Sequence, residues 1–434
     1  NHPNHITKSK IAFLESEGCF SKPDHTELDQ LIATYFNNVH PALPIIDYHE
    51  FCRCHNVDGV PWLLLHSICF AALTHGSLTD KPSVVRRNLR AKYYQRAKLL
   101  VDIGYETQQI TLVQSAILLS FWSGQSTEYW NAFDWLNTAV NIAESLGINR
   151  AISLLEADSV QRALWRRIWW ILAMRDTYCA VLLGKPLRIN LSNCEIEPLN
   201  MDDFDFLNYA DNDVNFIARN TQVLYALKAT ELSLLLREIL VAKASNSLTP
   251  TVVNALFKRL QRWHSSLPSY VSFSMTESSQ RWDVLPSSLA LLYYNSIVYL
   301  QQVCLRSFPI LDMQAQEAVN HIVDIGASLV TQSIISEMPQ DSLGGLFVAM
   351  IWLLSALHTK TGDEKLYKAQ LRICEMSVYH VQGFWDHADW ILCLCANMRH
   401  NPGTYEVIDL EHKNGLSDSA KRLSIYERLT AHRR

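Results

Sequence analysis

Two charged residues lie in the middle of a strongly apolar stretch, RRIWWILAMRDTYCAVLLGKPLRI, at positions 166–189. At the angular spacing of a helix, Asp176 falls among tryptophans and leucines, and Arg175 falls at the edge of the same arc. Because an unpaired buried charge is costly, each side chain needs a partner, such as a carbonyl at a helix end or the backbone of the following loop. The same projection places three arginines further out: Arg162, Arg166 and Arg167.

This charged pair has two interpretations. Asp176 could be a catalytic or ligand-contacting carboxylate, or the pair could pin a corner between a long helix and the acidic loop at 194–206. We favour the corner, because Gly184 suits the left-handed residue that ends a helix and Pro186 prevents its continuation. The helix is therefore predicted to run from about Ser159 to Leu183.

The densest group of potential metal ligands lies in the first part of the chain. Its C-x-C spacing is tighter than the spacing typical of zinc sites. Two of its members also lie in an apolar helix that is predicted to be buried. We therefore predict no metal site, and we assign these residues to the core and the loops. The group comprises His40, His49, Cys52, Cys54, His55, His66 and Cys69.

Enzyme signatures are missing from the sequence. It contains no G-x-S-x-G, no H-E-x-x-H, no phosphate-binding loop and no G-x-G-x-x-G. We assign no catalytic residue and predict that the protein is not an enzyme. An enzyme of an all-α fold stays as the less favoured alternative.

A second set of residues suits ligand binding by its aromatic character. Aromatic side chains are concentrated between positions 121 and 135, in a region predicted to contain two antiparallel helices. Such side chains line pockets for apolar molecules, but they also fill ordinary cores. The hypothesis is a ligand-binding set made of Phe121, Trp122, Tyr129, Trp130, Phe133 and Trp135.

The composition indicates the elements that must position these side chains. The chain has 434 residues, of which only 14 are glycine and 14 are proline, and its long apolar stripes recur at helical spacing. This predicts an all-α fold, a large multi-helix domain of antiparallel helices with short loops. Three segments are expected: a flexible lead-in at 1–23, the helical domain at 24–402 and a polar tail at 403–434.

Charge and cysteine content exclude several classes of protein. The net charge of −5 is spread without blocks, which does not indicate contact with nucleic acid or an anionic membrane. Ten cysteines without a disulfide framework indicate a reducing compartment. The longest uncharged apolar runs are shorter than a membrane-spanning helix requires, so no membrane partner is predicted.

Several motifs resemble those of the fungus-specific transcription factor regulatory domain and follow one another in the same order as in that family. This domain is the middle homology region of zinc binuclear cluster activators. The resemblance extends over about residues 28–360. Two places depart from the family pattern: Lys185 stands where the family usually has arginine, and Ser307-Phe308 precedes Pro309 where Arg-Pro is typical. The motifs are YFNNVHPALPIID (35–47), YYQRAKLL with TLVQSAILLSFW (93–122), WNAFDWLNTAVNIAESLGINR (130–150), LWRRIWWILAMRDTYCAVLLGKPLRI with DDF (164–204) and LALLYYNSIVYLQQVCLRSF (289–308).

The resemblance implies an all-helical regulatory domain that is often dimeric and follows a six-cysteine DNA-binding head. No C-x2-C-x6-C run occurs here, so zinc and DNA are expected only at a head outside this sequence, and this fragment is expected to need no cofactor. The resemblance also makes the charged pair part of a structural motif. That motif comprises Arg166, Trp169, Trp170, Arg175, Asp176, Gly184, Pro186 and Asp203.

Within the family, the segments VHPALPIID and MRDTYCAVLLGKPLRI are most similar to those of activators of cutinase and fatty-acid genes. The expected function is the effector-sensing and dimerisation domain of a nuclear fungal transcription factor. The expected partners are a second copy, a small-molecule or lipid inducer, and transcriptional co-regulators. The main alternative is a helical scaffold that binds no ligand.

Overall fold

The computed structural model describes residues 2–75, 83–123, 131–150, 157–207, 213–269, 271–273, 283–304, 309–360 and 362–400. Every regular element among these residues is helical, which confirms the predicted all-α fold. The chain divides into two compact units. The first comprises residues 1–176 and 188–215, and the second comprises residues 177–187 and 216–434.

The first unit is built from short and medium helices. Helix α4 packs against α5 and α6, and α6 packs against α7. All residues of α4 after its first are buried, as its apolar sequence predicts. The helices of this unit are α1 (Lys8–Ser16), α2 (His25–Thr34), α3 (Tyr48–Asn56), α4 (Trp62–Ala72), α5 (Ser83–Asp102), α6 (Gln109–Leu119), α7 (Ala132–Ser145) and the first part of α8 (Ser159–Leu183).

Among the described residues, the second unit contains the end of α8, nearly all of α9 and six further helices, with α11 packed against α12 and α13. Gly345 permits the close approach of α13 to α11, because a Cβ atom there would lie only 3.1 Å from the Leu291 carbonyl oxygen. The remaining helices are α9 (Asp213–Ala244), α10 (Pro250–Ser265), α11 (Val284–Val303), α12 (Pro309–Thr331), α13 (Gln340–Thr359), α14 (Glu364–Val381) and α15 (His387–His400).

Local sequence signals explain where several helices begin and end. The Asp24 carboxylate accepts the Glu27 N–H at the start of α2, as an N-cap aspartate does. Asn131 and Asp134 form a reciprocal capping box at the start of α7. Gly184 has φ +63° directly after Leu183, so the predicted left-handed stop of α8 is confirmed.

The first residues contain more structure than the flexible lead-in expected for 1–23. Helix α1 lies there, with a Thr7 side-chain cap and a fully buried Leu14. The Cys19 carbonyl also accepts a hydrogen bond of 2.7 Å from His66 Nε2. Burial of isolated apolar residues gives no periodic sequence signal, which explains the difference. The predicted tail at 403–434 lies outside the described residues.

Helix α13 is more apolar over a greater length than the sequence analysis expected. Among the helices in the described ranges, α13 alone is long and apolar enough to cross a membrane, judged by length and composition. Its most apolar 18-residue window has a mean hydropathy of 1.6. Because 72% of that window is buried inside the protein, packing in a core accounts for the same composition.

Candidate functional site

Asp176 joins helix α8 to the loop that follows it. Its carboxylate is buried, with an exposed fraction of 3%. Oδ1 accepts the Arg188 N–H at 3.0 Å, and Oδ2 accepts the Ile189 N–H at 3.1 Å. The burial predicted for this residue is confirmed, and the backbone of the returning loop supplies its hydrogen-bond donors. Every one of these oxygen contacts is to a main-chain amide, an arrangement suited to holding a loop.

Arg175, the neighbour of Asp176, is also buried and turns to another element. Its Nη2 donates to the Ser120 carbonyl at 3.2 Å and to Ser120 Oγ at 2.8 Å. Ser120 is the residue that caps the C-terminal end of α6, where carbonyl groups lack helical partners. The guanidinium carbon lies 4.3 Å from the centre of the Phe121 ring. One side chain therefore holds both the end of α6 and the first residue of the aromatic segment.

A second ion pair fixes the acidic loop. Arg166 Nη1 donates to Asp203 Oδ1 at 2.9 Å, and Asp203 Oδ2 accepts the Asn200 N–H at 3.0 Å. Burial raises the pKa of Asp203, while the Asn200 amide and Arg166 oppose that shift. The paired carboxylate is nevertheless held by donors on both oxygens, which a buried anion requires.

Two tryptophans of α8 add further contacts to the same loop. Trp170 Nε1 donates to the Glu197 carbonyl at 2.7 Å, and Trp169 Nε1 lies 3.2 Å from Cys194 Sγ. Both rings are buried. These side chains of α8 thus attach one face of the helix to the acidic loop, which contains little regular structure.

The aromatic segment forms a compact cluster around Tyr94, a residue of α5 that the sequence analysis did not select. The Trp122 ring stacks on the Tyr94 ring with centroids 4.2 Å apart, and Trp135 Nε1 donates to Tyr94 Oη at 3.2 Å. Phe70 of α4 contacts both the Tyr94 and Trp122 rings. The signal available in the sequence was the YY pair on the buried face of α5.

The predicted ligand-binding residues differ in their surroundings. Phe121 and Trp135 are buried, whereas Trp122 and Phe133 are partly exposed. Tyr129 and Trp130 lie outside the described residues. The structure thus brings Phe121, Trp122 and Trp135 to one region, with Trp122 as the member that reaches solvent.

Arg167 is the largest departure from the helical projection. It was expected to lie outside the apolar arc, but its exposed fraction is 0%. Its guanidinium carbon lies 5.9 Å from the centre of the Phe204 ring. The acidic loop covers this side of α8, so a residue that projects outward from a single helix becomes interior. No local pattern in the sequence indicates such a cover.

The histidines and cysteines of the predicted non-metal group serve other contacts. His66 donates to a backbone carbonyl, and Cys54 Sγ lies 3.4 Å from Glu50 Oε1. Throughout the ranges that the structure describes, no three His, Cys, Asp or Glu side chains are arranged to hold a metal ion.

The comparisons with known proteins address the same region of the chain. Residues 32–265 match the family model described as "Fungal specific transcription factor domain", and this match covers more than half of the sequence. The chain belongs to this family. The matched range includes the corner at Asp176, the Arg166–Asp203 pair and the aromatic cluster, so the contacts described above are contacts of the family domain.

Individual relatives agree with this assignment. Cutinase transcription factor 1 alpha of Fusarium vanettenii is 35% identical over 201 residues, which is 45% of this chain and 22% of that protein. The acetamidase regulatory protein of Emericella nidulans is 26% identical over 397 residues, or 87% of this chain and 47% of that protein. The fusaric acid cluster transcription factor FUB12 of Fusarium oxysporum is 24% identical over 277 residues, which is 62% of this chain and 41% of that protein.

These relatives are transcription regulators, and the chain corresponds to a fungal transcription factor regulatory domain. The predicted similarity to cutinase activators is confirmed. The chain spans between about a fifth and a half of the length of these curated relatives.

Proposed function

We propose that this domain senses a small apolar or amphipathic molecule and transmits its binding to the rest of a fungal transcription factor. The observation that carries the proposal is the continuity between the aromatic cluster and the charged corner. Phe121 lies against the guanidinium of Arg175, and the next residue in the helix, Asp176, holds the loop at Arg188. Trp122 is the neighbour of Phe121 in the chain. A molecule that displaces Trp122 would therefore act next to the ring that contacts Arg175 at the corner.

The chemistry of the cluster suits a fatty acid or a related lipid. The Trp122 and Tyr94 rings offer flat apolar surfaces, and the partial exposure of Trp122 gives access from solvent. Binding can shift a population between two states only if the ligand favours one of them. Here the discriminating element would be the Ser120–Phe121 end of α6, which Arg175 holds by hydrogen bonds and ring contact.

A thermal-shift series of fatty acids and hydroxy-fatty acids tests the proposal. A ligand at 100 times its dissociation constant adds about 2.7 kcal/mol of apparent stability, which raises the melting temperature by several degrees. Trp122→Ala should abolish that rise. The matched control is Trp352→Ala, since Trp352 is also partly exposed and contacts one tyrosine ring, Tyr367, in the second unit.

The two variants separate sensing from general damage. The proposal requires that Trp352→Ala keep the ligand-dependent rise even if its unliganded melting temperature falls. If no acid raises the melting temperature of the unaltered protein, and native mass spectra show only bare protein, the sensing role is rejected.

A scaffold that binds no ligand is the second candidate, and the burial of Trp135 favours it. This ring is fully buried and its Nε1–H is already donated to Tyr94, as expected for an ordinary core residue. In that case the cluster stabilises the fold alone. The scaffold is supported if Trp122→Ala lowers the stability and neither the variant nor the unaltered protein responds to a ligand.

The remaining parts of the proposal concern the whole transcription factor. We place the transcription factor in the nucleus, as a homodimer that recruits co-regulators. It binds DNA and zinc only through a separate DNA-binding head. Native mass spectrometry of this domain reports the oligomeric state directly. A monomer at micromolar concentration would remove dimerisation from the functions of this domain.

A further inference from the structure

Helix α14 carries apolar residues on its outer side as well as on its inner side, which packs against α12 and α13. On the outer side, Leu366 is 45% exposed and Met376 is 60% exposed. Between them lie the exposed Ala369 and the half-buried Ile373. We call these four residues the outer stripe. Apolar residues scattered singly over a surface need no explanation, whereas a contiguous set marks an interaction site.

The outer stripe has the spacing of a coiled-coil seam. Positions 366, 369, 373 and 376 are separated by three, four and three residues, which is the alternation of the two apolar positions in a heptad. This alternation keeps the side chains in one line, along which they can meet a second helix. The next position of the series is His380, which is exposed and polar, so the stripe ends there. The outer side of α14 is therefore suited to pairing with another helix.

Two cations border the outer stripe on one side. Lys365 and Arg372 are exposed, and each directly precedes a residue of the stripe. They lie seven residues apart, so both project from the same side of α14. In coiled coils, charged residues beside the seam form salt bridges with the partner helix and set its orientation.

Helix α12 borders the outer stripe on the other side. Gln370 Nε2 donates to Asn320 Oδ1 at 2.8 Å, and a Cβ atom on Gly326 would lie only 3.0 Å from Ser377 Oγ. Gln370 and Ser377 each directly follow a residue of the stripe, so α12 lies on the side away from the two cations. Because the later of the two α12 residues meets the later of the two α14 residues, the two helices run in the same direction.

Two anions on α12 repeat the spacing of the cations. Glu317 and Asp324 are exposed and lie seven residues apart, one turn before and one turn after Asn320. The alignment of the two helices places each anion two or three residues beyond the level of Lys365 or Arg372, which is about 3–4 Å along the axis. The outer stripe therefore has a basic border and an acidic border at nearly the same level.

We infer that a second copy of the chain binds this face, with the two α14 helices parallel about a two-fold axis that runs along them. Each residue of the outer stripe then meets the same residue of the other copy, as in other isologous interfaces. The rotation carries the acidic border of one copy over the basic border of the other, so Arg372 lies opposite Asp324 of the partner subunit. An antiparallel pair would bring the two acidic borders together, which is unfavourable. Charge therefore selects the parallel arrangement.

This inference rests on the homodimer proposed above and names the surface that forms it. The alternative occupants of the outer stripe are another segment of the transcription factor and a helix of a co-regulator. Neither would make the oligomeric state of this domain depend on α14. The aromatic cluster contributes no residue to this face, so the sensing function and the interface can fail independently.

Sedimentation equilibrium of the domain at micromolar concentration tests the surface. The unaltered protein should be a dimer. Met376→Glu sets two like charges against each other in the seam and should raise the dissociation constant at least about 100-fold. The matched control is Val241→Glu, which should leave the constant unchanged, because Val241 is also an exposed apolar residue on a helix of the second unit. Both side chains are exposed, and the melting temperature of each variant shows that the fold is kept.

An exchange of charges tests the orientation. Arg372→Glu sets two anions against each other and should raise the dissociation constant about tenfold. Adding Asp324→Lys should recover most of that loss, because opposite charges then face each other again between the two copies. An internal pairing within one copy would not restore the dimer in this way.

Cross-linking gives a measurement that does not depend on affinity. In the parallel arrangement, Ala369→Cys should form a disulfide with position 369 of the other copy under mild oxidation, as peptide mass spectrometry detects. The control is Lys368→Cys, which is also exposed but lies outside the seam and should not link to itself.

The outcomes separate this inference from the proposed function. A monomeric unaltered protein overturns the inference together with the homodimer, and leaves the sensing function standing. A dimer that Met376→Glu does not weaken overturns the inference alone, since the homodimer then forms through another surface. The parallel arrangement is overturned if Asp324→Lys does not rescue Arg372→Glu, or if position 369 does not cross-link to itself.

Discussion

The two units of the chain differ in how many charged and titratable side chains they bury. Both units bury hydroxyls and amides, but most of the buried arginine, aspartate and histidine side chains among the described residues lie in the first unit, and the second adds Arg237 and His387. Those of the first unit include Arg86, Arg90, Arg167, Arg175, Asp176, Asp203, His40, His66 and His75. The buried hydroxyls and amides of the second unit include Thr230, Ser233, Ser287, Ser288, Asn295, Ser296, Gln340 and Ser342.

The partners of these groups differ in the same way. In the first unit, Asp176 accepts from residues of the loop after its helix, and Arg166 reaches Asp203 of the acidic loop. In the second unit, the hydroxyls of Ser296 and Thr230 donate to carbonyls four residues earlier in their own helices. These buried charges therefore constrain the position of another segment, whereas the Ser296 and Thr230 hydroxyls are satisfied within their own helices.

This difference indicates that the charged residues of the family motif position a loop. Charged residues of the first unit hold the loop from Leu187 to Phe204, in which the regular structure consists of 3-10 turns. The helices of the second unit are held by apolar packing instead. Changes at the two kinds of site should therefore have very different consequences for stability.

The largest effect is expected for Asp176→Ala. Removing the carboxylate leaves the Arg188 and Ile189 amides without their acceptor in a buried position. The expected loss is roughly 3–5 kcal/mol of unfolding free energy, as for other broken buried charge contacts. Urea denaturation followed by circular dichroism measures it. An unchanged midpoint would show that the carboxylate is solvated and that the corner contributes nothing.

The comparison is sharpened by the low-pH stability of the first unit, where the effect expected of one buried histidine is intermediate in size. Burial lowers the pKa of His66 and of His75 to about 4, below the value of about 6.5 in an unfolded chain. A depressed folded pKa means that the stability is complete above pH 6.5 and is lost as the pH falls towards 4. Each buried histidine should cost about 1.4 kcal/mol per pH unit in that window.

A glutamine at position 66 isolates one histidine. Its amide can donate to the Cys19 carbonyl as His66 does, but it does not titrate. Between pH 6.5 and pH 5, urea midpoints of His66→Gln should therefore fall less than those of the unaltered protein, by about 2 kcal/mol in free energy. Equal losses in both proteins would show that His66 is hydrated in the folded state.

The smallest effect is expected for Ser296→Ala in the second unit. Its hydroxyl donates to the Leu292 carbonyl at 2.8 Å within the same helix, so its removal leaves no segment unattached. Alanine also has a higher helix propensity than serine. The expected change is below about 1 kcal/mol. A loss as large as that of Asp176→Ala would break the distinction between the two units.

The sequence by itself determined most of the helices and several of their ends. Asp24 caps α2, Gly184 ends α8, and the apolar arc of α8 buries Arg175 and Asp176. These features depend on residues within a few positions of one another, where backbone geometry and helical spacing decide the outcome. The ordered motifs identified the family for the same reason, because they are local patterns.

Only the tertiary structure decided which distant residues meet. The burial of Arg167 depends on a loop more than thirty positions later that covers the outer side of α8, as its contact with Phe204 shows. The pairing of Trp135 with Tyr94 likewise joins separate helices. A helical projection ranks residues by their direction from one axis, and it contains no information about which segment packs on each side. That choice depends on the packing of the whole unit.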